Sequence, residues 1–132
     1  MQRGSVVEKV LRILILEDCI TDADLMKFEL EEAKIPFTSK RVEREEDFRR
    51  CLQKCSPDLI LSDYNLPQYK GSLALAEAKS CCPDTPFILV TGAIDENLAE
   101  EIITQGANDF IHKDQLHKLA PAVQKVLKMA SP

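Results

Sequence analysis

A chain of 132 residues with 45% hydrophobic side chains has enough apolar material for one proper core and little room for a second domain. Acidic residues outnumber basic ones 22 to 17, and the net charge of -5 disfavours direct nucleic-acid binding, whose affinity comes largely from lysine and arginine neutralising phosphates; a protein or small-molecule partner is expected instead. The five cysteines, Cys19, Cys51, Cys55, Cys81 and Cys82, lack the spacing of a secreted disulfide scaffold, nothing resembles a signal peptide, and no apolar run is long enough to cross a bilayer. A cytoplasmic location with no membrane segment fits these features best.

Short apolar runs alternate with helical patterns, which predicts repeated βα units and a parallel sheet covered on both faces. Leu11 to Leu16 forms the first strand. A helix over 22–33 follows, with Ala23, Met26, Leu30 and Ala33 at helical spacing and Thr21 or Asp22 as its cap. Phe37 to Val42 is a shorter, more polar strand of edge character, and the next helix carries Phe48, Cys51, Leu52 and Cys55 on its buried face. The run from Glu43 to Asp47 reads as a solvated helix start. Ser56-Pro57-Asp58 breaks that helix before the third strand, Leu59 to Ser62; Pro67 and Gly71 mark an irregular loop before a helix over 72–81.

Strand four covers 87–90 and helix four 96–105, with Gly106 as its C-terminal cap. The fifth strand, Asp109 to His112, is short. Asp114 is expected to cap a helical turn, and Pro121 to take the first position of a longer helix whose inner face holds Leu116, Leu119, Ala120, Val123 and Leu127. The domain is placed at 10–129, between extensions at 1–9 and 130–132.

Chemically distinctive residues stand where the strands stop: Glu17 and Asp18 after the first, Asp63 after the third, Thr91 after the fourth and Lys113 after the fifth. In an open parallel α/β sheet the carboxyl ends of the strands share one edge, and ligands bind in the crevice there. Carboxylates meeting within about 4 Å repel by about 4 kcal/mol per ionised pair at an effective dielectric near 20. A hard divalent cation offsets that repulsion, and Mg²⁺ is the usual choice where carboxylates and a phosphate share a metal that keeps several waters. Glu17 and Asp18 are placed to hold the metal. Lys113 adds a positive charge and Thr91 a hydrogen-bond donor, which suits phosphoryl transfer. Asp63, at the end of the expected central strand, is the candidate nucleophile, since aspartate carboxylates form acyl phosphates.

The order Glu17-Asp18, Asp63-Tyr64-Asn65-Leu66-Pro67 with Gly71, Thr91-Gly92-Ala93, and Phe110-Ile111-His112-Lys113 resembles the receiver domain of two-component response regulators, from about Leu11 to Leu127. The resemblance implies a flavodoxin-like, doubly wound sheet of order 2-1-3-4-5 with five helices in a three-layer sandwich. It implies that Asp63 takes a phosphoryl group from a phosphohistidine on a histidine kinase or phosphotransfer protein. It also implies that Mg²⁺ is held by Asp18, Asp63 and the main-chain carbonyl of Asn65, with Glu17 acting mostly through water. In such domains the threonine, here Thr91, moves inward on phosphorylation and an aromatic residue, here Phe110, turns into the vacated space. The output surface, for a downstream protein or domain, would be the fourth helix, fifth strand and fifth helix, over roughly 96–128. Two positions depart from the pattern: Lys113 is followed by Asp114 where most members have proline, and Phe110 lacks the hydroxyl of the frequent tyrosine.

A free-standing regulator and a receiver portion of a larger protein, such as a hybrid sensor kinase, both fit. An alternative function is a phosphorylation-independent interaction module on the same fold, against which intact Asp63, Thr91 and Lys113 argue. A phosphohydrolase acting on external substrates would need a general acid, commonly two residues after the nucleophile, where Asn65 stands. No enzyme activity beyond the domain's own phosphorylation and dephosphorylation is expected. Cys51 and Cys55 read as buried packing, since no second pair stands at zinc-site spacing. Nor do His112 and His117 have paired partners at ligand spacing. Cys19 is a poor oxidation sensor beside carboxylates that push its pKa upward.

Overall fold

A computed structural model of the chain describes residues 9–67, 69–92 and 96–130. The described elements are β1 (Leu11–Leu16), α1 (Ile20–Glu32), β2 (Phe37–Val42), α2 (Glu45–Lys54), β3 (Leu59–Ser62), α3 (Gly71–Cys81), β4 (Phe87–Thr91), α4 (Glu96–Thr104), β5 (Asp109–His112), a 3₁₀ segment (Lys113–Lys118) and α5 (Leu119–Ala130). All strand pairs are parallel, in the order β2-β1-β3-β4-β5. This is the flavodoxin-like arrangement expected from the resemblance.

The inner strands are buried on both faces, so their apolar runs are continuous, but the two-residue period of a strand still divides them. Ile13, Ile15, Leu59, Leu61, Ile88, Val90 and Ile111 face α1 and α5, where Met26, Leu30, Leu119 and Val123 complete one half of the core. Leu14, Leu16, Ile60, Phe87 and Leu89 face the other way and meet Phe48 and Leu52 of α2, Ala74 and Leu75 of α3, and Ile102 of α4. Burial of this size is the main force that holds the strand ends at one edge.

Several helix boundaries differ from expectation, each for a local reason. Helix α1 starts at Ile20 after Cys19, whose side chain makes no capping bond; neither Thr21 nor Asp22 is the cap. Asp22 lies in the first turn and its carboxylate is drawn instead to Lys113. Helix α3 starts at Gly71, one residue early, because the Gly71 N–H donates to the Tyr64 carbonyl at 2.9 Å. A Cβ at Gly71 would come within 2.7 Å of the Tyr64 Cα, so this close approach of two backbones requires glycine.

Before α5, His112 rather than Asp114 caps the 3₁₀ segment, its Nδ1 accepting from the Asp114 N–H at 3.2 Å. That segment runs directly into α5, so Pro121 falls at the third helical residue instead of the first, still within the turn whose N–H groups lack helical partners. Gly106 does end α4, with a φ of 118°. Its N–H bonds to the Ile103 carbonyl and that of Ala107 to the Ile102 carbonyl, the paired closure of a Schellman motif.

Candidate functional site

Backbone hydrogen bonds beyond the strand ends carry the sheet into the site. The Glu17 N–H donates to the Val42 carbonyl at 3.0 Å, and the Asp63 N–H to the Leu16 carbonyl at 2.9 Å, which sets Asp63 beside the acidic pair. Arg41 on the neighbouring edge strand donates to the Glu17 carbonyl at 3.0 Å. Asp63 is buried, and its Oδ1 accepts from the backbone N–H groups of Tyr64 at 2.7 Å and Asn65 at 3.3 Å. The side chain is therefore oriented by its own loop, with Oδ2 turned toward Lys113.

Lys113, just past β5, brings its ammonium to three carboxylates. Its Nζ lies 2.7 Å from Asp22 Oδ2, 2.8 Å from Glu17 Oε1 and 3.2 Å from Asp63 Oδ2. Burial alone would lower the lysine pKa; the hydrogen bond to Asp22, the close ion pair with Glu17 and the charge of Asp63 outweigh it, so the ammonium is held above its ordinary range. Glu17 goes the other way. It is fully buried, and that burial, aided by the Asp63 charge, pushes its carboxyl up to about 7 against the lowering contacts of Lys113 and the Cys19 N–H.

One oxygen of this buried acid is left short. Glu17 Oε2 accepts from the Cys19 N–H at 3.2 Å, whereas Oε1 has no directed hydrogen bond and meets Lys113 only as an ion pair at 2.8 Å. Buried polar atoms ordinarily find a partner. Carboxylate oxygens of Glu17, Asp18 and Asp63 also lie within 4.8 Å of one another, with Asp18 exposed and the other two buried. An all-oxygen set with an unsatisfied buried atom and excess negative charge fits Mg²⁺, which binds few carboxylates and retains waters. This is the group of potential metal ligands found among the described residues, and it contains none of the cysteines or histidines.

Thr91 closes β4 in the buried layer, in register with His112 of β5. The strand order puts it on the opposite side of β3 from Glu17 and Asp18. Gly92 follows against the Lys113 side chain, where an added Cβ would sit 3.8 Å from the Lys113 Cβ. Phe110 is half-buried against the α2–α3–α4 side of the core. It lines an open groove of about 510 Å³ with Ala99, Glu100, Ile103 and Thr104. Ala93, part of the hydroxyl motif, lies outside the described residues.

The structure thus brings Glu17, Asp18, Asp63 and Lys113 into one cluster, with Thr91 at the same sheet edge and Asn65 on the Asp63 loop. Asp22 belongs there too, although its position in the sequence suggests only a cap. No periodic signal reveals it, because Asp18 precedes α1 and shares no helical face with Asp22.

The same loop carries a second polar group of residues. Tyr69, buried, donates its hydroxyl to Glu77 of α3, and Glu77 pairs with Arg49 of α2, which also reaches Glu45 at 2.6 Å. The Tyr69 ring meets Phe48 edge-on at 6.1 Å between centroids. The loop between Asp63 and α3 is thereby tied to both helices on that face.

Residues 13–124 match the family model described as the response regulator receiver domain. The regulatory protein AtoC of Escherichia coli (strain K12) is 36% identical over 76 residues, which span 57% of this chain and 16% of that protein. The chain thus matches about a sixth of the length of this relative. The chemotaxis protein CheY of Bacillus subtilis (strain 168) is 28% identical over 120 residues, covering 88% of this chain and 97% of that one. Among solved structures, the signal receiver domain of a putative Luxo repressor protein from Vibrio parahaemolyticus superposes with a TM-score of 0.82 at 28% identity, covering 92% of this chain and 93% of the other. Among the described residues no helix is long and apolar enough to cross a membrane. A sheet of order β2-β1-β3-β4-β5 with an acidic, lysine-bearing carboxyl edge, matched along nearly its whole length, makes this chain a member of the response regulator receiver domain family of two-component signal transduction.

Proposed function

We propose that Asp63 accepts a phosphoryl group from a phosphohistidine of a histidine kinase or phosphotransfer protein. The observation that carries this reading is the oriented Asp63 carboxylate, held by two backbone N–H groups at the end of the central strand and faced by Lys113 across an acid-rich pocket. A carboxylate oxygen of Asp63 attacks phosphorus, the N–P bond breaks, and its electron pair leaves with the imidazole nitrogen, which takes a proton. The product is an acyl phosphate on Asp63. Glu17 and Asp18, with Asp63 and the Asn65 carbonyl, would hold Mg²⁺, which supplies charge neutralisation for the phosphoryl oxygens. The Lys113 ammonium and the Thr91 hydroxyl donate hydrogen bonds to those oxygens.

The reaction ends on the protein itself, so the domain is a signalling module and does not process an external substrate. Thr91 and Phe110 form the switch in this reading. Drawing the Thr91 hydroxyl toward the phosphoryl group alters the layer in which β4 and β5 pair, and Phe110 lies on β5 beside the groove under α4. An aromatic beside an open groove has room for a second position, which a local charge change can bias. The face formed by α4, β5 and α5 would then meet the downstream protein or domain.

Incubation with a small-molecule acyl phosphate and Mg²⁺, followed by intact-protein mass spectrometry, tests the reading. One phosphoryl group should add to the wild type and none to Asp63→Asn. Labelling of that variant would overturn the assignment of Asp63.

A further inference from the structure

Two demands meet on the same oxygens at this site. The Lys113 ammonium pairs with Glu17 and Asp63, and these two acids also belong to the only carboxylate cluster among the described residues with the spacing for a cation. A divalent cation and an ammonium repel each other, so both cannot draw on Glu17 and Asp63 to the full. The third partner of Lys113 is outside that conflict. Asp22 makes the shortest contact, at 2.7 Å, and is not part of the cation cluster.

We propose that Asp22 is a positioning residue that retains the Lys113 ammonium at the rim of the acidic pocket while Glu17 and Asp63 serve the cation, a role that rests on the receiver reading given above. Its placement suits the task. Asp22 stands in the first turn of α1, a helix pinned to the core by Ala23, Met26 and Leu30. The bond to Lys113 joins positions 91 residues apart in the chain, so it ties α1 to the segment after β5. The Asp22 side chain keeps about a third of its surface in water (32%), against 8% for Asp63, and a solvated charge is the cheaper one to maintain. With Asp22 present, the lysine is neutralised without occupying a cation ligand. Without it, Lys113 falls back on Glu17 and Asp63 and competes with the metal.

The test is a double-mutant cycle read as Mg²⁺ affinity, by calorimetry, on the whole 132-residue chain. Asp22→Asn should weaken Mg²⁺ binding about tenfold. In a Lys113→Met background the same substitution should change it less than about twofold, because no ammonium is left to hold. Equal weakening in both backgrounds would reduce Asp22 to one more negative charge near the pocket and overturn the proposal, as would no effect in either. Thermal unfolding of all four proteins without metal shows whether each is folded before its affinity is compared. Because the readout is cation binding without phosphodonor, it is separable from the receiver reading, which fails only if Asp63 takes no phosphoryl group.

Discussion

Two polar clusters flank the loop from Asp63 to Gly71, and they are built on opposite terms. On the α2–α3 side, Tyr69, Glu77, Arg49 and Glu45 alternate donors and acceptors, and each charge meets its opposite. On the α1–β5 side, three carboxylates, Glu17, Asp22 and Asp63, share the ammonium of Lys113, Asp18 adds a fourth negative group beside Glu17 and Asp63, and a buried oxygen of Glu17 has no directed partner. A satisfied network fastens a structure; an unsatisfied one of uniform sign stores an electrostatic cost that a ligand can relieve. The fold thus keeps one wall of the loop rigid and leaves the other waiting for positive charge.

The largest effect that separates the two walls is expected at Lys113. Lys113→Ala should lower the metal-free stability by about 2–3 kcal/mol, since removing one partner strands buried acids, and Mg²⁺ should restore most of the loss. Denaturant unfolding with and without Mg²⁺ checks this. The same variant should still take a phosphoryl group while failing to change its activated-state spectrum; an unchanged spectral response would remove Lys113 from the switch.

Glu17 sharpens the contrast through pH. Its carboxyl is raised from an ordinary value of 4.5 to about 7 in the fold, mainly by burial. A group whose pKa is raised on folding stabilises fully below its unfolded value and loses that contribution as pH climbs through the folded one. Relative to Glu17→Gln, which stays neutral throughout, the metal-free wild type should therefore lose about 2–3 kcal/mol between about pH 4.5 and pH 8. Parallel stability profiles of the two proteins would contradict the buried, strained state of this acid. Mg²⁺ binding to the wild type should strengthen over the same window, as the proton it displaces becomes easier to remove.

The satisfied wall should respond more quietly. Tyr69→Phe deletes a hydroxyl and leaves the ring against Phe48, so a loss of about 1 kcal/mol is expected with Mg²⁺ affinity unchanged. A large change in affinity would show that the two walls communicate through the loop.

Much of the acid-rich wall is legible in the sequence, because most of its members follow an apolar strand and parallel strands deliver their ends to one edge. Glu17, Asp18, Asp63, Thr91 and Lys113 are readable on that ground alone. Asp22 is readable only as a helix cap, since an aspartate near a helix start has that local explanation and the pairing with Lys113 spans 91 residues. The opposite wall has no signature at all: Tyr69, Glu77 and Arg49 sit on a loop and two different helices, and only packing of α2 against α3 brings them together. Helix starts mislead for a related reason. Helix α1 uses no side-chain cap, so Thr21 and Asp22 carry false local signals.

The most direct measurement is intact-protein mass spectrometry of wild type and Asp63→Asn after exposure to a small-molecule phosphodonor, with Mg²⁺ present or chelated. A single phosphoryl group on the wild type, dependent on Mg²⁺ and absent from Asp63→Asn, is the predicted result. No addition to the wild type from this donor or from a phosphohistidine protein, or equal addition to both proteins, would contradict the phosphoacceptor role of Asp63.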